Sequence, residues 1–135
     1  MPFTRILIID DHKGIVDALV RMLERDFTVV GASLDGESGL ANAVLLNPEI
    51  IILDISLPDI DGLEVARRLR SAGGGAKIVF LSNHEDPEII HAAFDAGASG
   101  YVFKTRLIRD LINAIELALQ DAAFMPTMPR LKGAA

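Results

Sequence analysis

The sequence contains no cysteine and no long hydrophobic run, and each absence excludes a class of function. Without cysteine, the chain can form no disulfide, no thiolate metal site and no cysteine nucleophile. No apolar stretch approaches the length that spans a bilayer. The N-terminus also lacks the basic and apolar regions of a secretion signal. We therefore expect a soluble, cytoplasmic protein that has no membrane partner.

Basic residues are scarce relative to acidic ones. The chain has 13 Lys and Arg against 19 Asp and Glu, which gives a formal net charge of −6. This balance argues against direct nucleic-acid binding by this segment and suits cations and basic partners. The length of 135 residues matches one ordinary domain. We predict a domain over residues 1–122, followed by a tail or linker stub over 123–135, which contains two prolines and ends in Gly-Ala-Ala.

Five short apolar segments alternate with five helical patterns along the chain. The strands are predicted at 5–9, 27–33, 50–53, 77–81 and 99–103, and the helices at 12–25, 37–46, 61–71, 86–97 and 106–122. This alternation predicts an α/β fold with a five-stranded parallel sheet, doubly wound with helices on both faces. No glycine-rich dinucleotide turn follows the first strand, which favours the flavodoxin-like strand order 2-1-3-4-5.

Polar side chains stand just beyond four of these strands. Asp10 and Asp11 follow the first strand, Asp54 the third, Ser82 the fourth and Lys104 the fifth. In the predicted order these strand ends meet on one side of the sheet, where open α/β sheets bind their ligands. Three carboxylates about 5 Å apart would repel by roughly 3 kcal/mol per pair at an effective dielectric near 20. Such a site needs a cation, and hard oxygen ligands favour Mg²⁺, or Mn²⁺ in its place.

These groups are the parts needed to accept a phosphoryl group. In-line transfer to the carboxylate of Asp54 spreads charge over three equatorial oxygens. Mg²⁺, Lys104, the hydroxyl of Ser82 and backbone amides can each take a share of that charge. The product would be an acyl phosphate, which hydrolyses and so suits a reversible mark.

The same residues resemble the receiver domain of two-component response regulators. The motifs that carry the resemblance are Asp10-Asp11, Asp54 with Leu57-Pro58 and Asp61-Gly62, Ser82, and Gly100-Tyr101-Val102-Phe103-Lys104. The match covers about residues 4–121. The acidic pair followed by His12, together with the Gly-Tyr-Val-Phe-Lys run, is most similar to the NarL/FixJ-like regulators.

The resemblance implies a role for each matching residue of the metal and phosphate site. Asp54 would be the phosphoacceptor and a metal ligand. Asp11 would bind Mg²⁺ directly, and Asp10 would hold a metal-bound water. Ser56 would offer its backbone carbonyl to the metal, and Lys104 would pair with the phosphate.

The resemblance also implies a switch rather than an ordinary enzyme. Ser82 and Tyr101 match the hydroxyl and aromatic switch pair, which would change the surface around the fourth helix, fifth strand and fifth helix. The expected donors are a sensor histidine kinase, a phosphotransfer protein or a small phosphodonor. The output would be a domain absent from this chain, a separate protein, or a homodimer formed through the last helix.

Three alternatives belong to other classes. A haloacid-dehalogenase-type phosphatase needs a second aspartate two positions after the nucleophile, where this chain has His12 or Ser56. A flavodoxin-like cofactor domain needs a phosphate-cradling loop where this chain has two carboxylates. The serious alternative is a pseudo-receiver that binds partners without being phosphorylated.

Two positions depart from the family pattern, and the histidines add no motif. Thr105 replaces the proline that often follows the lysine, so no cis peptide is expected there. Asn83 replaces the usual Ala or Gly, and its larger amide would narrow access to the phosphoryl position. His12, His84 and His91 share no metal-ligand spacing and are interpreted as surface or pocket-rim residues.

Overall fold

The computed structural model describes residues 3–126, and within them five strands alternate with five helices. The strands are β1 Arg5–Ile9, β2 Thr28–Ser33, β3 Ile50–Leu53, β4 Lys77–Ser82 and β5 Gly100–Phe103. The helices are α1 Lys13–Leu23, α2 Gly36–Leu46, α3 Gly62–Ser71, α4 Pro87–Asp95 and α5 Leu107–Leu119. All strand pairs are parallel in the order β2-β1-β3-β4-β5, which confirms the predicted fold.

The hydrophobic core has two parts, one on each face of the sheet. One part lies between the sheet and helices α1 and α5, and it contains Ile6, Ile8, Ile50 and Ile52. The other part lies against α2, α3 and α4, and it contains the neighbours of these residues along each strand. The two central strands are therefore buried on both faces, which explains their continuous apolar runs. No helix within residues 3–126 is long and apolar enough to cross a membrane.

Aspartates begin three of the helices. Asp35, Asp61 and Asp86 each accept a hydrogen bond from a backbone N–H of the first turn, at 2.7 to 2.9 Å. Such a cap contributes about 1 kcal/mol relative to alanine. Asp86 precedes Pro87, and this start of α4 was predicted from the Asp-Pro pair.

The last helix differs from its prediction at both ends. A short 3₁₀ turn at Lys104–Arg106 precedes α5, so the helix begins at Leu107 and ends at Leu119 rather than running over 106–122. Its apolar arc is also divided. Leu111 and Ile115 are fully buried, whereas Ile108 is 87% exposed.

The segment that follows α5 pairs with the outer edge of β5. Phe124 donates its backbone N–H to Ser99 O at 3.2 Å, and its carbonyl accepts from the backbone N–H of Tyr101 at 3.1 Å. Its side chain packs against the part of the core between the sheet and α5. The predicted division at residue 122 stays a prediction, and most of the predicted tail, 127–135, lies outside the described residues.

Candidate functional site

The carboxyl ends of the central strands meet at one edge of the sheet, as their register requires. Ile9 pairs with Leu53, and Leu53 pairs with Phe80. The residues that follow β1 and β3, Asp10 and Asp54, are therefore neighbours. They are only 1% and 3% exposed, so both carboxylates are nearly removed from water.

The loop after β3 is folded tightly against Asp54. The backbone N–H of Gly62 donates to Ile55 O at 2.7 Å. A Cβ added to Gly62 would lie 2.1 Å from the carbonyl oxygen of Asp54, so only glycine fits this approach. This explains the Asp61-Gly62 pair of the sequence. The same loop carries Asp59, which accepts hydrogen bonds from the first amides of α2 at 2.7 and 2.8 Å.

Lys104 lies between the two buried carboxylates. Its Nζ is 3.0 Å from Asp54 Oδ2, to which it donates a hydrogen bond, and 3.0 Å from Asp10 Oδ2. The second contact is an ion pair without hydrogen-bond alignment, and Asp10 Oδ2 has no hydrogen-bond donor among residues 3–126. Burial favours a lower pKa for Lys104, but its contacts with Asp10 and Asp54 outweigh burial and raise the pKa above its usual range. Lys104 is therefore held as a cation.

Burial raises the pKa of Asp54, although the hydrogen bond and the charge of Lys104 act in the opposite direction. The neighbouring charge of Asp10 adds to the increase. Removal from water is thus the main reason that the ionised form of Asp54 is destabilised, and Lys104 offsets it only in part.

The donor set fits a divalent cation. One ligand atom from each of Asp10, Asp11, His12 and Asp54 lies within 4.8 Å of all the others. Asp11 is partly exposed, which leaves the pocket open on one side. The buried Oδ2 of Asp10 forms an ion pair with Lys104 but accepts no hydrogen bond among residues 3–126, and such an ion would satisfy it.

The predicted switch residues meet at the loop between β4 and α4. Ser82 is fully buried, and its Oγ accepts a hydrogen bond from the backbone N–H of His84 at 3.0 Å. Tyr101 is also fully buried, and its hydroxyl donates to the carbonyl of His84 at 2.8 Å. Burial raises the pKa of the Tyr101 hydroxyl, with Ser82 acting against the increase and the charge of Asp54 adding to it. The backbone of His84 is therefore held by both residues.

Ser56 and His84 form a contact that the sequence did not predict. Ser56 Oγ lies 2.9 Å from His84 Nε2, in an exposed position. The backbone N–H of Ser56 donates to Asp54 Oδ1 at 3.3 Å, so this residue is placed beside the carboxylate as expected. The metal-binding role of its carbonyl stays a prediction.

His12 is a pocket-rim residue, as interpreted, because its side chain is 57% exposed beside the acidic pair. The sequence did not predict how close its ring comes to the carboxylates: its Nδ1 lies 3.2 Å from Asp10 Oδ1 and 3.2 Å from Asp11 Oδ1. The cause is a backbone turn, in which the N–H of His12 donates to Asp10 Oδ1 at 2.8 Å. The only signal in the sequence was the position of His12 next to the acidic pair, because the direction of its side chain depends on this turn.

Comparison with known proteins identifies the family. The sequence profile described as "Response regulator receiver domain" matches residues 6–116. The chain belongs to the response regulator receiver family. This agrees with the fold and with the NarL-like resemblance of the sequence.

Individual relatives of this receiver are regulators. A "Putative transcriptional regulator" of Pseudomonas aeruginosa is 36% identical over 125 residues, which cover 92% of this chain and 60% of that protein. The "Nitrate/nitrite response regulator protein NarL" of Escherichia coli is 36% identical over 117 residues, which cover 84% of this chain and 53% of that protein. The chain thus spans a little more than half the length of these relatives.

A solved structure confirms the fold of the receiver. A two-component response regulator of the LuxR family from Aurantimonas sp. SI85-9A1 superposes with a TM-score of 0.87 and is 32% identical. The match covers 91% of this chain and 89% of that one.

Proposed function

We propose that this receiver is a phosphorylation-dependent signalling switch that accepts a phosphoryl group on Asp54. The donor would be a sensor histidine kinase, a phosphotransfer protein or a small phosphodonor, and the compartment would be the cytoplasm. One observation carries the proposal: the Asp54 carboxylate is buried beside Lys104 Nζ at 3.0 Å, with Asp10, Asp11 and Ser82 at the same edge. Each of these groups has a task in phosphoryl transfer.

The acidic side chains would hold Mg²⁺, with Mn²⁺ as a substitute. Asp11 and Asp54 would bind the ion directly, Asp10 would hold one of its waters, and Ser56 would add its backbone carbonyl. When bound, the ion neutralises charge on the phosphoryl oxygens. The cluster of carboxylates, two of them buried, supports this assignment, as does the Oδ2 of Asp10, which accepts no hydrogen bond among residues 3–126.

The chain's own residues would then carry the transfer. One oxygen of Asp54 attacks the phosphorus, a new O–P bond forms, and the bond to the leaving atom of the donor breaks with its electron pair. Lys104 lies where it can pair with a phosphoryl oxygen while it still neutralises the pocket. Ser82, which ends the strand next to β3, would supply a hydroxyl to another phosphoryl oxygen. The chain is thus a phosphoacceptor that assists its own phosphorylation and dephosphorylation.

The readout would begin at His84. A phosphate on Asp54 adds nearly two negative charges and strong acceptor oxygens. If Ser82 turns its hydroxyl toward them, the backbone N–H of His84 loses its present acceptor, and the loop that also binds the Tyr101 hydroxyl must adjust. The affected surface is that of α4, β5 and α5, where a partner or a second copy would bind. A shift from 1:99 to 99:1 needs about 5.5 kcal/mol, so we expect a partial shift.

The alternative of a pseudo-receiver is not favoured by any specific observation. Such a domain would bind partners without accepting phosphate, and pocket residues would be expected to be missing. Asp10, Asp11, Asp54, Ser82 and Lys104 all stand at the strand ends in this chain. We therefore retain phosphoryl acceptance as the proposal.

The test is mass spectrometry after incubation with Mg²⁺ and acetyl phosphate. We expect a mass increase of one phosphoryl group, which is lost in Asp54→Asn and after removal of Mg²⁺ by EDTA. The exposed Asp17 of α1 provides a matched control, because Asp17→Asn changes the same charge away from the pocket. Absence of the increase, or its persistence in Asp54→Asn, would reject Asp54 as the acceptor.

A further inference from the structure

A histidine nitrogen lies in the acidic pocket, where the sequence predicted oxygen ligands. His12 Nδ1 is 3.2 Å from a carboxylate oxygen of Asp10, 3.2 Å from one of Asp11 and 3.9 Å from Asp54 Oδ2. The position is built into the backbone, because the N–H of His12 is bonded to Asp10 at the start of α1. The imidazole belongs to the wall of the pocket.

The spacing of these atoms matches that of neighbouring ligands on one metal ion. Metal–ligand bonds of about 2.0–2.2 Å place adjacent ligand atoms about 3.0–3.5 Å apart. The separation of 3.2 Å between Nδ1 and Asp11, a direct ligand in the proposed site, falls in this range, and Asp54 Oδ2 at 3.9 Å lies just beyond it. The contacts of Nδ1 with Asp10 and Asp11 are both longer than the roughly 2.7–2.9 Å of a charge-assisted N–H···O bond.

Ordinary hydrogen bonds cannot satisfy all the neighbours of Nδ1. Lys104 Nζ lies 3.3 Å away, and a lysine can only donate, so this contact needs the lone pair of Nδ1. The carboxylates of Asp10 and Asp11 instead need a hydrogen on that atom. A dication bound through the lone pair would replace the contact with Lys104 and meet the carboxylates as well, while Lys104 keeps its two carboxylate contacts at 3.0 Å. The buried Oδ2 of Asp10 has only an ion pair with Lys104 at 3.0 Å and accepts no hydrogen bond among residues 3–126, so it is a further acceptor for a cation or its bound water.

We infer that His12 makes this pocket a mixed nitrogen–oxygen site, which binds borderline transition-metal dications such as Co²⁺, Ni²⁺ or Zn²⁺ more tightly than its carboxylates alone would. Imidazole is a good ligand for these ions, whereas Mg²⁺ prefers oxygen. His12 therefore sets the relative affinity for the two kinds of cation and adds little to Mg²⁺ binding. The inference rests on the proposed function, since it concerns the same pocket.

Calorimetric titrations of the full chain, without a histidine tag and at one pH, test this selectivity. Ni²⁺ and Mg²⁺ are compared for the unchanged protein and for His12→Ala. The His12 side chain is 57% exposed and makes no capping hydrogen bond, so the variant should fold. Even the mutation of a residue that only hydrogen-bonds to a metal ligand lowers metal affinity by about 10–100-fold. We expect Ni²⁺ affinity to fall at least that much, while Mg²⁺ affinity stays near its original value.

A matched control removes a different imidazole. His91 lies on α4, 80% exposed and paired with Asp95 at 3.3 Å, so His91→Ala should leave both affinities unchanged. The ¹⁵N spectrum gives a direct readout, because Zn²⁺ should shift Nδ1 of His12 and leave the nitrogens of His91 in place. This measurement does not depend on phosphorylation.

The results that would contradict the inference about His12 can be told apart from those that would contradict the proposed function. An imidazole that only pairs with the carboxylates would compete with every cation, so His12→Ala would raise both affinities in parallel and overturn the inference. An unshifted His12 nitrogen with Zn²⁺ bound would do the same. If Mg²⁺ still binds and Asp54 is still phosphorylated, the inference about His12 fails alone. If Mg²⁺ does not bind the unchanged protein, the proposed function fails with it.

Discussion

Neutralising Asp54 should stabilise the metal-free protein, although the residue is central to the proposed function. The substitution Asp54→Asn keeps the shape of the side chain and an oxygen that can still accept a hydrogen bond from Lys104. It removes the charge from a carboxylate that is 3% exposed and whose pKa is raised by burial. The raised pKa means that the folded state disfavours the ionised form.

The magnitude follows from the distances in the pocket. The contact with Lys104 at 3.0 Å contributes about 5.5 kcal/mol of attraction at an effective dielectric of 20, which the variant loses. The ligand atoms of Asp54 and Asp10 lie at most 4.8 Å apart, so the variant is also relieved of at least about 3.5 kcal/mol of repulsion. The variant no longer removes a charge from water when it folds, which stabilises it by several kcal/mol more. The balance is a stabilisation of about 2 kcal/mol, or a melting temperature about 6–10 °C higher.

The pH dependence fixes the sign of this effect. Well below the ordinary pKa of aspartate, about 3.9, Asp54 is protonated in both the folded and unfolded states, and the two proteins should be equally stable. As the pH rises through the raised pKa of the folded state, the unchanged protein loses stability and the variant does not. The difference should therefore be largest at neutral pH and should shrink as the pH falls.

Urea unfolding in EDTA at several pH values measures this difference directly. Asp17→Asn controls for the change in net charge, since Asp17 is exposed on α1. Saturating Mg²⁺ should reduce or reverse the advantage of Asp54→Asn. A variant less stable than the unchanged protein at neutral pH in EDTA would refute the reasoning, as would a difference that does not vary with pH.

Three further predictions concern the same pocket. Millimolar Mg²⁺ should raise the melting temperature according to RT ln(1 + [L]/Kd), and Asp11→Ala should weaken this response; an equal response in both would contradict the metal site. Asn83→Ala should speed phosphorylation by acetyl phosphate or shorten the acyl-phosphate lifetime. Identical rates in both proteins would show that the amide of Asn83 does not affect access to the phosphoryl position. Tyr101→Phe should cost about 1 kcal/mol in urea unfolding and speed amide exchange around His84, because it removes the hydrogen bond at 2.8 Å; unchanged exchange would count against that link.

The fold and the meeting of the polar residues could be predicted because both follow from the backbone. Parallel strands buried on both faces need continuous apolar runs, and their carboxyl ends must lie on one side of the sheet. Asp54 and Lys104 could therefore be placed together without knowledge of any side-chain conformation. The start of α4 was predictable for a similar reason, because Asp86-Pro87 acts within its own turn.

The features missed by the sequence depend on side-chain direction or on distant partners. His12 enters the pocket because of a local hydrogen bond to Asp10, and periodicity carries no record of that bond. Asp59 binds the first turn of α2, more than 20 residues earlier in the chain. Phe124 lies in a proline-containing stretch typical of linkers, and only the position of the β5 edge gives it a partner.

The attachment of Phe124 also protects the sheet. The outer edge of a terminal strand offers unpaired backbone groups on which another chain can build, and such edges promote aggregation. Here the protein's own residues occupy part of the β5 edge. In a parallel ladder the next residue to face β5 would be Pro126, which has no N–H to donate, so the added strand cannot be prolonged in a regular way. Expression of residues 1–122 alone would uncover this edge, and the shortened protein should associate more readily than one that retains Phe124.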